Sequence, residues 1–305
     1  MAAPKSSFRH SKNAGLVDSA SHILHEGKLN TTYPTRSLQF LQHATSADEP
    51  VPPPPATCPL DVLVVGAGIG GLAAATTLRL RGHAVAVVEQ APELAEVGAG
   101  VQVPPNATRL LRRWGVAPLL APRCVRPEAV TKLISLIDKT LKWPLMAGQA
   151  LDHWVSESSR VVIMGDAAHA MLPFMSQGAA QAVEDGGSLA TLVSSISSRS
   201  ELPTALRIFE QLRIPRTAQM QQASFVNGRI FHFRDGPEQR ARDAAMRDEV
   251  EHKHYLQSPN GLSDPTTQIW CYGYDAEEEA RKAWEREMET SARAVGGLQG
   301  CWAGC

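Results

Sequence analysis

The sequence predicts an α/β chain: a parallel sheet with helices packed on it, followed by a helical C-terminal region. Three observations carry that prediction. A short apolar run, Val62 to Val65, leads directly into Gly66-Ala67-Gly68-Ile69-Gly70-Gly71 and an alanine-rich helical segment. A second apolar run, Arg160 to Met164, ends in Gly165-Asp166, and a long helical segment begins near Gly178. From Pro203 onward the segments read as helices, with an amphipathic stretch to Phe225 interrupted at Pro215 and an acid-rich surface helix over Ala276 to Glu289.

Composition bounds the rest. The chain has 305 residues, a net charge of -1, 43% hydrophobic and 20% charged residues, enough to build a core. Near-neutral charge gives no electrostatic footprint for nucleic acid. No apolar run reaches the roughly 20 residues that span a bilayer. Residues 1–57 read as a disordered polar tail ending in a stiff proline linker, Pro52 to Pro55. Lys5, Arg9 and Lys12 make a mitochondrial presequence the alternative for that tail, but Asp18 and Glu26 follow closely. Five scattered cysteines (Cys58, Cys124, Cys271, Cys301, Cys305) read as reduced thiols, which predicts a cytoplasmic chain. No metal site is predicted.

Each residue type in the first motif has a reason. Val62 to Val65 is β-branched and continuous, as in a strand buried on both faces of a parallel sheet. Gly66 permits the tight turn, Gly68 lets the backbone approach a pyrophosphate, and Gly71 lets the helix pack closely on the strand. The helix from Leu72 to Arg81 presents free amides and a positive dipole end to phosphates, and Gly82 stops it. A second strand, Ala84 to Val88, ends in Glu89, where a carboxylate can accept both hydroxyls of an adenosine ribose. An acid there disfavours a 2′-phosphate. Together these make a Rossmann-like dinucleotide site.

The next stretch narrows the dinucleotide. Glu96-Val97-Gly98-Ala99-Gly100-Val101-Gln102 precedes Pro104-Pro105-Asn106 and a helix that Gly115 stops. This text resembles the FAD-dependent aromatic hydroxylases, a family of flavoprotein monooxygenases, in their salicylate-hydroxylase-like branch. The resemblance implies FAD as cofactor and places Gly100 in a second glycine loop beneath the flavin.

The second motif resembles the same family's Gly-Asp segment. Gly165, Asp166, Ala167, Ala168, His169, Pro173, Gln177 and Gly178 match, and Ser176 stands where the family carries glycine. Asp166, at a strand end, is suited to ribityl hydroxyls. The resemblance adds Pro173, Gly178 and Ala179 to the FAD set, with the positive end of the following helix facing a reduced flavin. His169 is expected to be a packed supporting residue, and Glu184 and Asp185 to lie on a solvated helix face.

Against that resemblance, the interval from Gly100 to Gly165 is short. The family's Asp-Gly motif and most of its substrate-binding sheet have no counterpart in residues 116–150. The expected organisation is therefore an FAD-binding domain over 58–200 in two halves (58–116 and 151–200), a truncated substrate domain left as a remnant at 117–150, and a helical region at 201–305. The resemblance implies a monooxygenase that uses NAD(P)H and O2 on a small aromatic or phenolic substrate, in secondary metabolism or aromatic catabolism. No catalytic residue can be named. An alternative is a non-catalytic or uncoupled flavin-binding remnant, in which a partner chain covers the flavin. A plain NAD-dependent reductase leaves the Gly-Asp segment without a role.

Overall fold

The computed structural model describes residues 53–92, 101–120 and 144–300. Strand β1 (Asp61–Val65) lies parallel to β2 (Ala84–Val88), in register from Asp61↔Ala84 to Val65↔Val88. Helix α1 (Ile69–Leu80) makes the crossover that a parallel pair requires. It ends at Gly82, where φ is 87°. There Gly82 N–H donates to Arg79 O and His83 N–H to Leu78 O, so a left-handed residue satisfies two otherwise orphaned carbonyls. Helix α2 (Pro105–Arg113) closes in the same way at Gly115, and a single turn, α3 (Ala117–Leu120), follows. After residue 144 come the one-turn α4 (Asp166–His169), a 3-10 turn at Pro173–Met175, and helices α5 (Gly178–Ser194), α6 (Leu202–Phe231), α7 (Pro237–Ala245), α8 (Arg247–Val250), α9 (Pro265–Tyr272) and α10 (Ala276–Gly300). Among the described residues no helix is long and apolar enough to cross a membrane.

Helix α5 is the axis of this assembly, and α1, α2, α6 and α10 all pack on it. Two glycines let them close in. A Cβ on Gly186 would sit 2.8 Å from the backbone nitrogen of Ala74 on α1. One on Gly187 would press on Trp114, Leu110 and Glu277. The main apolar cluster joins Ala74 and Leu78 of α1 to Leu189, Leu192 and Val193 of α5, Phe209 of α6, and Ala280 and Trp284 of α10. Helix α10 is anchored by buried Glu277, which accepts from Arg81 (2.9 Å), Arg113 (2.7 Å) and the indole N–H of Trp114 (2.9 Å). The helix expected over Ala276 to Glu289 thus extends to Gly300 and buries one stripe, Ala276, Ala280 and Trp284.

Four expectations need correction. The β1–β2 sheet is covered on one face only: Leu63 is 62% and Val65 80% exposed. Apolar composition alone did not distinguish a covered strand face from an uncovered one. The run from Arg160 to Met164 is not a strand; it makes an isolated antiparallel bridge, Val155↔Val162, and packs Val162, Ile163 and Met164 against the main cluster. Helix α6 is not interrupted at Pro215. The missing N–H there costs one backbone bond, but buried residues on both sides, Arg213, Arg216 and Thr217 among them, hold the helix through it.

The fourth correction concerns charge. Glu184 and Asp185 do not face solvent; both are fully buried. Glu184 Oε2 accepts from Arg213 (2.6 Å) and Arg216 (2.7 Å), and Oε1 from Arg216 (2.7 Å) and the amide of Asn106 (2.7 Å). Asp185 Oδ1 accepts from Arg213 Nε at 2.8 Å. Burial by itself pushes the Glu184 carboxyl up, but Arg216 and Arg213 outweigh it and hold the group below the ordinary carboxylate range. Asp185 is also pushed up by burial and brought lower by Arg213, His169 and the Gly165 amide. Two carboxylates face two guanidiniums, so the cluster is neutral as a whole. Tyr274 lies under Arg216, 3.8 Å from its guanidinium carbon to the ring centroid.

Both carboxyls are depressed in the folded state, so the unfolded chain binds protons first as pH falls. The stability they contribute is present above the unfolded carboxylate pKa and is lost as pH drops through the folded values. Unfolding midpoints in urea should therefore be steady near neutrality and fall steeply below about pH 4.5, near the unfolded glutamate value. Glu184→Gln should cost about 3–5 kcal/mol near pH 7 by leaving two buried guanidiniums with one carboxylate. The variant should also show a shallower acid fall. A wild-type midpoint that is flat down to pH 3 contradicts this account.

Candidate functional site

The first glycine turn joins β1 to α1. Gly66 has a φ of 100°, which a side chain would strain, and its N–H extends the ladder by donating to Val88 O at 2.7 Å. Gly68 caps α1 without any side-chain cap, and a Cβ built on it meets nothing within 4 Å. The backbone there faces open space. Gly71 is the opposite case: a Cβ would lie 2.1 Å from Gly66 O and 3.2 Å from Val64. The turn can close only because that position lacks a side chain.

Glu89 stands beside this turn. Its Oε2 accepts from Ala67 N–H at 2.7 Å and its Oε1 from Ala91 N–H at 2.9 Å. Those amides, Ala67 first, lower its pKa, and the group is exposed. The carboxylate therefore braces the glycine turn while staying ionised and open to solvent.

The second turn begins at Gly165, where φ is 60° and ψ is -146°. Asp166 follows, exposed, at the start of α4. His169 ends that turn, buried, with its ring 5.3 Å from Trp154. Asp185 Oδ2 accepts from Gly165 N–H (2.9 Å) and pairs with His169 Nε2 (2.6 Å). Pro173, exposed, opens the 3-10 turn, and Ser176 closes it in the left-handed region at φ 52° and ψ 33°. Gly178 and Ala179 start α5, again with no side-chain cap. Buried Gln177 just before them accepts from Asn106 at 3.0 Å, and its own Nε2 has no partner among the described residues.

The two turns converge. A Cβ on Gly70 would lie 3.2 Å from the Ala182 methyl, and one on Gly165 would lie 3.6 Å from the same methyl. Ala182, in the first turns of α5, thus sits against Gly70 of the first turn and Gly165 of the second, and Gly178 and Ala179 begin the same helix. Pro173 lies on the segment leading into that helix. Gly100 lies outside the described residues. Sequence reasoning missed Asn106, Gln181, Arg213 and Arg216. One signal for them was present: Arg213 and Arg216 are spaced to share one face of a helix, as are Gln181, Glu184 and Asp185.

The open cradle at Gly68 and the uncapped starts of α1 and α5 fit a dinucleotide bearing phosphates, and the orphaned Gln177 amide lies at the second helix start. Among the described residues no group of three or more His, Cys, Asp or Glu could hold a metal ion.

Two families described as FAD binding domains match the chain, one over residues 61–108 and one over residues 136–224. The FAD-dependent monooxygenase OpS4 of Beauveria bassiana is 37% identical over 135 residues, which are 44% of this chain and 31% of that protein. A 3-amino-4-hydroxybenzoate 2-monooxygenase of Streptomyces cremeus is 36% identical over 150 residues, 49% of this chain and 34% of that protein. The chain spans about a third of the length of these curated relatives. A crystal structure of FqzB superimposes with a TM-score of 0.54 at 19% identity, covering 82% of this chain and 97% of that one, which speaks to the fold alone. The chain thus carries two segments of an FAD-binding domain and is a relative of the FAD-dependent monooxygenases.

Proposed function

We propose that the chain holds FAD across its two converging turns and acts as an NAD(P)H- and O2-dependent monooxygenase on an aromatic or phenolic small molecule. The observation that carries this is the convergence of the Gly66–Gly71 and Gly165–Asp166 turns on Ala182, with open space at Gly68. The cofactor would supply the redox chemistry, in which a hydride from NAD(P)H and a proton reduce O2 so that one oxygen atom enters the substrate ring and the other leaves as water. The chain's own residues do the holding. Gly68 and the α1 amides receive the pyrophosphate. Glu89 keeps lone pairs beyond those it offers Ala67 and Ala91, and these accept ribose hydroxyls. Asp166, exposed at the start of its turn, would accept ribityl hydroxyls, and the uncapped α5 start at Gly178 and Ala179, with Pro173 leading into it, would offer its positive end to the flavin. Gly100 belongs to the same set on the resemblance of its loop.

A second reading, an uncoupled or non-catalytic flavin binder, is favoured by the uncovered sheet face at Leu63 and Val65. On that reading a partner chain supplies the cover. The two readings share FAD binding and differ in product.

The purified chain should be yellow with flavin absorbance; a colourless chain that binds NADH defeats both readings. Gly68→Val should purify without flavin, because the side chain would fill the pyrophosphate space. Retention of full flavin would show that this turn is not the phosphate site. Glu89→Ala should weaken FAD binding about tenfold, the scale of a lost charged hydrogen bond. An unchanged dissociation constant would remove Glu89 from the ribose. Finally, NAD(P)H oxidation by the isolated chain should release more hydrogen peroxide than hydroxylated product, since coupling requires the reacting face to be shielded from water. Peroxide and NAD(P)H measured together over a panel of phenols and aromatic acids check this. Stoichiometric hydroxylation would mean that the chain builds a complete substrate pocket.

A further inference from the structure

We propose that Asp185 is a positioning residue for the flavin half of the cofactor: from inside the core it grips both ends of the one-turn helix that presents Asp166. The inference rests on the FAD reading above and adds to it a residue that touches no cofactor.

The geometry is specific. Asp185 Oδ2 accepts from the Gly165 amide at 2.9 Å, immediately before Asp166, and pairs with His169 Nε2 at 2.6 Å, where the turn ends. One oxygen therefore spans the whole of Asp166–His169. Inside the turn, two bonds to Gly165 O hold it, from Ala168 and His169 N–H. A helix this short has no stability of its own, so its orientation comes from what clamps it. Gly165 adopts φ 60° and ψ -146°, a conformation other residues rarely take, and Asp185 holds its amide there.

Asp185 is itself immobilised. It is fully buried, and its second oxygen takes Arg213 Nε at 2.8 Å. Arg213 also donates to Glu184, to Gln181 Oε1 and to the Gln181 carbonyl, so it is fixed from four sides. Among the described residues His169 Nδ1 has no partner, so there the ring's polar tie runs to Asp185, beside its contact with Trp154. A carboxylate is needed because three donors meet it: Arg213, Gly165 and His169. An asparagine in the same place has one oxygen, and its amide would face at least one donor with a donor. Arg216 provides an internal control. It is as deeply involved in the cluster, but it bonds Glu184 and the carbonyls of Trp270 and Cys271 and does not bond Asp185.

Titration with FAD and with ADP, read by flavin fluorescence and by calorimetry, separates the outcomes, because ADP reaches the Gly68 and Glu89 side and carries no flavin half. Asp185→Asn should bind FAD about tenfold more weakly, the scale of losing a charged hydrogen bond, with ADP affinity unchanged. Arg216→Lys should lower the melting temperature of the FAD-free protein but leave both affinities within about twofold. His169→Leu removes the donor at the other end of the same tie without touching the Asp185–Arg213 pair. It should also weaken FAD and spare ADP, and its effect should not add to that of Asp185→Asn. If Asp185→Asn does not fold, His169→Leu carries the test alone. Unchanged FAD affinity in the variants, or equal loss of FAD and ADP, overturns the positioning role. Wild-type protein that binds neither ligand overturns the FAD reading instead, and the positioning role falls with it.

Discussion

The structure depends on a neutral cluster of buried charges along α5. Glu184 and Asp185 sit in the middle of the helix on which α1, α2, α6 and α10 pack, and Arg213 and Arg216 reach them from α6. Buried ion pairs of this sort seldom add net stability over a well-packed apolar core, because desolvating the charges cancels most of their attraction. What they add is exclusivity. Helix α6 can register against α5 in one way only, since any slip leaves a charge buried without a partner. Asn106 brings α2 into the same arrangement through Glu184 and Gln177. One cluster thus fixes three helices and, through Asp185, the turn that presents Asp166.

This division of labour explains which parts of the fold were legible in the sequence. The local devices could be read: the strand–glycine–helix unit, the left-handed closures at Gly82 and Gly115, and the start of α5 at Gly178. Each is specified within a few residues by backbone sterics, so the text and the structure agree. The non-local devices could not. Glu184-Asp185 in isolation looks like an exposed acidic pair, because burial depends on arginines some thirty positions away. The Arg160–Met164 run has strand composition, but a strand needs a neighbour to bond with, and composition does not supply one. The course of α6 through Pro215 is likewise decided by tertiary packing, which outweighs one lost backbone bond.

At the candidate site the same line holds. The roles of glycine were readable because they are steric and local: Gly66 needs its positive φ, and Gly71 leaves no room for a Cβ. That Glu89 also braces the glycine turn, by accepting from Ala67, was not readable, since it depends on how β2 ends beside β1. The consequence is chemical. A carboxylate held by two amides is already oriented and ionised, so it can receive hydroxyl donors without first paying to be ordered.

The uncovered sheet face then takes on a definite meaning. On one face of the sheet Val62 and Val85 pack against the main apolar cluster, while Val87 further along that face is 39% exposed. The opposite face is open, with the Leu63, Val65 and Val88 side chains exposed, although the Val88 carbonyl still accepts from Gly66 N–H of the first glycine turn. On the FAD reading, holding a dinucleotide and shielding a reacting ring are separable tasks. The first would fall to the short local motifs clamped by α5. The second requires additional surface, and the relatives are about three times longer than the region they share with this chain. Of the contacts that order the two turns, those to Ala182 and Asp185 run inward, and those from Gly66 and Ala67 run to Val88 and Glu89 at the end of β2, so all of them are made within this chain and none needs further cover over the sheet.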